Sequence, residues 1–278
     1  MKKVKLLFGI VIGLFVLFST GCQNLDNDQP GNIVVKITDA PFPIDMIEEA
    51  TVRITKVEIR AENGDDGNPF ITLLEDNLEF NLLDLRNGVT ADLIDMDIPA
   101  GSYNLIRLYV DEASLSVIDH ETYGVKVPSG AQTGIKIFIE PALKVAGGLT
   151  TEVLLDFNVE KSFVLKGDLM TPAGIKGFNF KPVIRAVNNT TAGVMEGVVT
   201  YADTVLLEDV SVWTEQDTVI TSAFTDTEGY YAMPGLPAGF YTVSAAKEGF
   251  DTVSYADVEV VEGNLTVQNF VLDSTVVK

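Results

Sequence analysis

The sequence is poor in the residues that carry most enzyme chemistry and most covalent cross-links. It contains one cysteine, one histidine and one tryptophan. A single cysteine excludes an internal disulfide, so each folded unit must be stabilised by core burial alone. Basic residues are also scarce, with 19 lysines and arginines against 40 aspartates and glutamates and a formal net charge of −21. So acidic a surface repels nucleic acid and anionic lipid headgroups, and the sequence predicts no nucleic-acid partner.

The lone histidine, His120, stands in the segment 118–124, whose polar residues are typical of a hairpin tip. A catalytic histidine needs a nucleophile and an orienting partner. The sequence shows no nucleophile elbow, phosphate-binding loop or zinc-ligand spacing. Paired acids for glycoside hydrolysis are not visible in a sequence, because geometry decides which carboxylates pair. We therefore predict that the protein is not an enzyme and has no catalytic residue and no cofactor.

Two acidic stretches offer oxygen ligands for calcium. Asp65 and Asp66 lie in the loop 62–68, and Asp92, Asp95 and Asp97 are closely spaced further on. Calcium takes about six to eight oxygen ligands, and neither stretch matches a known calcium loop. A solvated hairpin turn explains Asp65 and Asp66 equally well. The sequence predicts no metal site, with Asp65 and Asp66 as the candidates to check.

The most prominent feature of the sequence is an apolar run near the N-terminus. Three lysines stand within the first five residues, and the run Leu6–Phe18 follows. It is shorter than the roughly 20 residues of a membrane-spanning helix and has the build of a cleaved secretory signal. Its ending, Ser19 to Cys22 (STGC), resembles the lipobox of bacterial lipoproteins. The resemblance implies cleavage after Gly21 and lipidation of Cys22. The alternative is an ordinary signal peptide with an incidental cysteine.

This interpretation gives a signal peptide over residues 1–21 and a lipidated cysteine with a flexible tether over residues 22–31. The tether is rich in Asn, Asp, Pro and Gly, and such a composition buries too little to order itself. Acyl chains on Cys22 would hold the protein to a membrane, each buried methylene contributing about 0.8 kcal/mol. We expect an outer-membrane lipoprotein of a Bacteroidetes-like envelope, on its periplasmic face or on the cell surface.

From residue 32 the chain consists of short apolar segments in which apolar and polar residues alternate, as in Ile33–Ile37. The segment 52–59 alternates with one slip, which predicts a β-bulge. Only Ile44–Ala50 and Leu82–Ile94 have the composition of short helices, the second broken at Asn87-Gly88. Many short strands separated by turn residues predict an all-β fold of two β-sandwich domains.

The first of these domains, residues 32–188, resembles the bacterial lipoprotein domain of unknown function numbered forty-three eighty-two. The blocks that carry the resemblance are ITDAP (37–41), VRITKVEI (52–59), FNLLDLRNGVTADL (80–93), IPAGSYNLIRLYV (98–110), KVPSGAQTGIKI (126–137), LDFNVEKSFV (155–164) and KPVIRAV (181–187). The resemblance implies a β-rich domain outside the cytoplasm. It brings no assigned activity.

A polar linker, 188–193, precedes the second domain, residues 193–275. Two patterns stand out there, Asp226-x-x-Gly229-x-Tyr231 and GLPAG followed by x-Tyr241. They resemble carboxypeptidase-regulatory-like domains, which are prealbumin-like modules grouped with carbohydrate-binding folds. The resemblance implies a β-sandwich and no peptidase, because the module is like the accessory part of such enzymes. A fold alone does not determine a ligand.

Aromatic residues supply the candidate binding site. Strand parity places Val210, Val212 and Thr214 towards the core and Trp213 on the opposite face. The family pattern implies that Tyr231 and Tyr241 are core residues, so their neighbours Tyr230 and Phe240 also point outward. Exposed aromatic rings suit stacking on a sugar or on a partner protein. The alternative is that Trp213 packs under a loop or against the first domain.

Together these observations predict a non-catalytic envelope lipoprotein that binds or displays. The leading hypothesis is binding of carbohydrate or a surface polymer through Trp213, Tyr230 and Phe240. The rival is a structural or adhesive scaffold that binds another envelope protein. An unrecognised enzyme, or an accessory subunit of one, is the third possibility.

Overall fold

The computed structural model describes residues 29–40, 47–62, 69–118, 121–127, 130–167 and 174–275. Cys22, Asp65, Asp66 and His120 lie outside these ranges, so the lipidated signal, the acidic turn and the hairpin tip stay predictions. Within the described ranges, no helix is both long and apolar enough to cross a membrane.

The first domain extends from Gly31 to Asn188 and consists mainly of strands. They are β1 (Gly31–Ala40), β2 (Ile47–Ala61), β3 (Phe70–Asn81), β4 (Ala91–Ile98), β5 (Gly101–Val117), β6 (Thr122–Val125), β7 (Ile135–Val145), β8 (Thr150–Asn158), β9 (Phe163–Gly167), β10 (Ile175–Phe180) and β11 (Ile184–Asn188). Three single turns accompany them: a 3-10 turn (Leu82–Leu85), α1 (Gly130–Thr133) and α2 (Val159–Ser162).

A nine-stranded sheet forms the body of the first domain. Its order is β3-β2-β5-β7-β11-β8-β1-β4, with β6 paired to one end of β5. Most neighbours are antiparallel, whereas β1 with β8 and β7 with β11 are parallel. β9 and β10 form a separate hairpin. The edge strands β3 and β4 also contact each other, so the sheet curls around its own core.

The core of this domain follows the alternation in its sequence. Ile33, Val35 and Ile37 are fully buried in one cluster with the inward residues of the other strands. In β2 the pairing with β3 shifts register between Ile54 and Lys56, which is the predicted bulge. The all-β fold class predicted from the sequence is confirmed.

Where the structure describes the two segments whose composition allows a short helix, strand and turn largely replace the helix; residues 44–46 lie outside the described ranges. Residues 47–50 of the first belong to β2, because Ala50 and its alternating neighbours pack into the sheet core. Only Leu82–Leu85 of the second forms a 3-10 turn. Asn87 and Gly88 then take left-handed φ values of 57° and 81°, which end any helix at the predicted break. The chain continues into β4, which pairs with β1.

The second domain begins at Gly193 and is a sandwich of two sheets. Its strands are β12 (Gly193–Tyr201), β13 (Val205–Leu206), β14 (Ser211–Glu215), β15 (Val219–Phe224), β16 (Tyr230–Leu236), β17 (Gly239–Ala246), β18 (Val253–Val260), β19 (Leu265–Val267) and β20 (Phe270–Leu272). One sheet has the order β13-β12-β16, with β19 and β20 also paired to β12, and the second is β15-β14-β17-β18. Their inner faces share one core, which includes the buried Tyr231 and Tyr241.

The polar linker between the domains is a tight turn packed on the first domain. Asn189 donates its backbone N–H to the carbonyl of Glu152 at 2.8 Å, and Ala192 donates to the carbonyl of Asn188 at 3.1 Å. Ala192 is buried although it belongs to neither core cluster. The linker therefore holds the start of the second domain close to the first.

Candidate functional site

Trp213 lies on the outer face of the four-stranded sheet of the second domain. Val212 and Thr214, on either side of it in β14, are fully buried in the sandwich, and Trp213 itself is half-buried. The parity prediction is therefore confirmed. Its partners across the sheet are Ser222 in β15 and Ser244 in β17. Because both are small, the indole is not crowded by large cross-strand side chains.

The first domain supplies the opposite wall of a cleft at Trp213. A cavity of about 200 Å³ is lined by Asn158, Glu160 and Lys161 from the first domain and by residues of β14 and β15 from the second. A neighbouring cavity of about 120 Å³ shares Asn158 and Lys161 with it. The two spaces share these lining residues, and we call them together the Trp213 cleft. Its wall combines one indole face with amide, carboxylate, ammonium and hydroxyl groups.

A local cap positions the polar wall. Asn158 ends β8 in an extended conformation, and its Oδ1 accepts the backbone N–H of Lys161 at 2.8 Å. This is the hydrogen bond by which an asparagine begins a helical turn. The turn α2 places Glu160 and Lys161, both exposed, at the mouth of the cleft. Neither makes an ion pair with a described residue.

An arginine bridge holds the two walls together. Arg185, in β11, donates from Nη2 to Oδ2 of Asp156 at 2.7 Å and from Nη1 to the carbonyl of Gly235 in β16 at 2.7 Å. Leu154, on the same outward face of β8 as Asp156, is fully buried outside the first domain's core cluster. A Cβ added to Gly235 would lie 2.8 Å from Leu154 Cδ2, so the domains are in close contact here. These contacts bury a polar bridge and an apolar patch between the domains.

The structure does not gather the three predicted aromatic residues into one platform. Trp213 and Phe240 share the outer face of one sheet, but Phe240 lies four positions from Ser244, the partner of Trp213, or about 13 Å along the strand. Tyr230 belongs to the other sheet. Phe240 is 60% exposed, whereas Tyr230 is half-buried and donates to Oε2 of Glu196 at 2.7 Å. Burial and this bond to Glu196 raise the pKa of Tyr230 to about 12.

Sequence reasoning did not identify the first-domain wall of the cleft. Asn158, Glu160 and Lys161 lie in the family block 155–164, which carries no assigned activity. The residues around Trp213 do not indicate which segment of the chain faces the indole. The only local signal is an asparagine placed three residues before Lys161, which is a helix-cap spacing. Contact between sequence-distant segments had to be seen in the structure.

The acidic candidates form no metal site among the described residues. No group of three or more His, Cys, Asp or Glu side chains lies close enough there to hold a metal ion. Asp92, Asp95 and Asp97 are exposed on β4, and Asp95 accepts a hydrogen bond from Asn32 Nδ2 at 2.8 Å.

Two family models match the chain. The model described as "Domain of unknown function (DUF4382)" matches residues 30–182, which is more than half of the chain. The model described as "Carboxypeptidase regulatory-like domain" matches residues 194–273. Both resemblances inferred from the sequence blocks are confirmed. No curated protein matches the chain.

Several solved structures are similar at low identity. A mutant type II cohesin–X-dockerin complex from Acetivibrio cellulolyticus is 19% identical over 30% of this chain, with a TM-score of 0.25, and the match spans 58% of that chain. The shaft pilin SpaA of Lactobacillus rhamnosus GG is 10% identical over 90% of this chain and all of its own, with a TM-score of 0.26. The minor pilin GBS52 of Streptococcus agalactiae is 10% identical over 88% of this chain and 97% of its own, with a TM-score of 0.25. Likenesses this distant carry no argument about function.

Proposed function

The chain belongs to the DUF4382 family of domains of unknown function and carries a carboxypeptidase regulatory-like domain, and on that premise we propose that it is a non-catalytic protein that binds carbohydrate in the Trp213 cleft. The observation that carries the proposal is the half-buried indole of Trp213 facing Asn158, Glu160 and Lys161 across an open cavity. A sandwich with this cleft would bind or display a polymer without turning it over.

The chemistry of the cleft suits a sugar. One face of a sugar ring carries C–H groups that pack on an aromatic ring, and its edge carries hydroxyls that need hydrogen-bond partners. Asn158 offers an amide donor, Glu160 an acceptor and Lys161 a donor, while Ser211 and Ser222 add hydroxyls beside the indole. A small number of polar groups around an apolar surface is the usual composition of a ligand site.

Attachment to the cell envelope is the second part of the proposal. The signal ending in Gly21-Cys22 supports lipidation of Cys22 and display of both domains from the outer membrane. A polymer-binding cleft would be useful on such a protein, because the ligand and the cleft would both lie outside the cytoplasm. Mass spectrometry of the native protein tests this part, and an unmodified chain that still begins at Met1 would contradict it.

The binding proposal is tested with a glycan array and a pair of aromatic variants. Trp213→Ala is expected to abolish binding, because it removes the stacking surface, while the melting temperature falls by only a few degrees. Phe240→Ala is the matched control, since it removes an exposed ring on the same face but outside the cleft. Equal loss in both variants, or no reproducible glycan, would contradict the proposal.

A scaffold that binds another envelope protein is the second candidate. The outer face of the five-stranded sheet exposes aliphatic residues on three strands that each pair with β12: Leu206, Leu265, Val267 and Val271. Contiguous exposed apolar residues commonly mark protein interfaces. Cross-linking in the native envelope tests this candidate. A Val267→Asp variant should lose the cross-linked partner and keep glycan binding, and an unchanged pattern would reject this face as the interface.

A further inference from the structure

A group of lysines begins at the Trp213 cleft with Lys161 and continues along the neighbouring hairpin of this acidic protein. The segment 159–183 contains four lysines against two acidic residues, whereas the whole chain has a formal net charge of −21. The four, Lys161, Lys166, Lys176 and Lys181, are all exposed. None forms an ion pair with any residue that the structure describes. We call α2 together with β9 and β10 the lysine hairpin.

The hairpin presents its charges on one side because the other side is anchored in the core. Phe163 in β9 pairs with Phe180 in β10, and both rings are buried against each other with centroids 4.9 Å apart. Successive side chains of a strand point to opposite faces, so Val164 and Lys166 project outward. Lys181 continues this outward row just after β10. The lysines therefore form a cationic surface on a hairpin that the buried Phe163–Phe180 pair holds in place.

Lys161 connects this surface with the cleft. Its side chain lines both parts of the Trp213 cleft. Lys181 donates its backbone N–H to the carbonyl of Ser162 at 2.7 Å, which ties the end of the hairpin to the residue after Lys161. A polymer seated on Trp213 and extending past Lys161 along the hairpin would meet Lys181 next, while Lys166 lies about four strand positions, or roughly 13 Å, further along.

We propose that the ligand of the Trp213 cleft is an acidic polysaccharide, with its carboxylates contacted by Lys161 and the lysine hairpin. This inference rests on the proposed carbohydrate binding at Trp213 and adds the class of glycan. Elsewhere the acidic surface would repel a polyanion, whereas in this segment lysines outnumber acidic residues by four to two and leave a net positive charge that attracts it. A neutral glycan would stack on the indole equally well but would gain nothing from Lys166 or Lys181.

The test compares binding of the purified protein to alginate, a polyuronate, and to pullulan, a neutral glucan, by calorimetry. Alginate should bind at least about tenfold more tightly at low salt, and raising the ionic strength should remove this preference. The double variant Lys166→Glu/Lys181→Glu should lose about tenfold in alginate affinity. The control Lys136→Glu/Lys144→Glu makes the same charge change at exposed positions of β7 and should retain binding.

The outcomes separate this inference from the function on which it rests. If the control variant loses as much affinity as the hairpin variant, attraction depends on net charge alone and the inference is overturned. If pullulan binds as tightly as alginate and Trp213→Ala abolishes both, carbohydrate binding stands and the acidic class is wrong. If neither polymer binds but the glycan array gives reproducible hits, the acidic class is wrong, whereas a silent array as well means that carbohydrate binding itself fails with the inference. Alginate binding that survives Trp213→Ala would place the site on the hairpin alone and overturn its link to the cleft.

Discussion

The side-chain amide of Asn87, in the first domain, forms two hydrogen bonds with the backbone of the second domain around Ala232, as the backbone of a neighbouring strand would. Its Oδ1 accepts the backbone N–H of Ala232 at 2.6 Å, and its Nδ2 donates to the carbonyl of Tyr230 at 3.2 Å. β16 is bonded to β12 on its other side only, so the asparagine amide satisfies backbone groups at this edge. Ala232 is buried outside both core clusters, in contact with the loop at Gly88. This pairing and the Arg185 bridge hold the two domains in one orientation.

Removing the Asn87 amide should loosen the domain contact. Asn87→Gly is the informative change, because glycine keeps the left-handed φ of 57° and loses only the side chain. We expect a loss of about 1–3 kcal/mol in the free energy of unfolding, since two backbone groups lose their partners. Urea denaturation followed by Trp213 fluorescence measures it. An unchanged midpoint would show that the pairing does not couple the domains.

Breaking the Asp156–Arg185 ion pair should lower the free energy of unfolding considerably. The Asp156 side chain is 6% exposed and that of Arg185 26%, so Asp156→Asn leaves a largely desolvated guanidinium without its counter-ion. We expect a loss of roughly 3 kcal/mol of stability. The matched control is Asp111→Asn, whose pair with Arg53 is about 30% exposed on both sides and should be worth less than about 1 kcal/mol. Equal losses in denaturant titrations would contradict this ranking.

Asp39 should make the fold less stable as the pH rises. Burial, and then the nearby Asp156, raise the pKa of Asp39 well above its usual value. Its Oδ1 accepts the N–H of Val159, and its Oδ2 has no partner among the described residues. A carboxyl with a raised folded-state pKa contributes stability below its unfolded pKa of about 3.9, and loses it as the pH rises through the folded value.

The Asp39→Asn variant tests whether Asp39 lowers the stability of the fold as the pH rises. Asparagine mimics the neutral carboxyl, so the variant should gain stability over the parent chain as the pH increases towards neutrality, by melting temperature. Asp111→Asn should show the opposite trend, because the hydrogen bond from Arg53 lowers the pKa of Asp111 and its contribution is lost as the pH falls. A pH-independent difference for Asp39→Asn would contradict the assignment.

Gly235→Ala should destabilise the domain interface beyond its backbone strain. The glycine has a φ of 69°, and its added Cβ would press on Leu154. Gly249→Ala is the control, with a φ of 84° and no atom within 4 Å of the added Cβ. Left-handed strain alone should cost about 1–2 kcal/mol in each. The excess in Gly235→Ala measures the interface, and equal costs by denaturation would show that Leu154 simply moves aside.

Much of the architecture could be predicted from local patterns. Alternation assigned Ile33 to the core and Trp213 to the outer face, and the slip in β2 appeared as a bulge. The helix expected at Leu82–Ile94 was wrong because leucines at helical spacing also suit a turn followed by a strand. Pairing of β4 with β1 decided between them, and that pairing joins segments far apart in sequence.

The sequence by itself determined which side of each strand is apolar, where the chain turns and which family each half belongs to, because these depend on neighbouring residues. Only the tertiary structure decided which segments of the chain contact the outward faces of the strands. It placed Trp213 and Lys161 on the lining of one cavity, put Tyr230 in the other sheet and packed Leu154 against Gly235. Such contacts depend on surfaces brought together from distant segments, which no local pattern encodes.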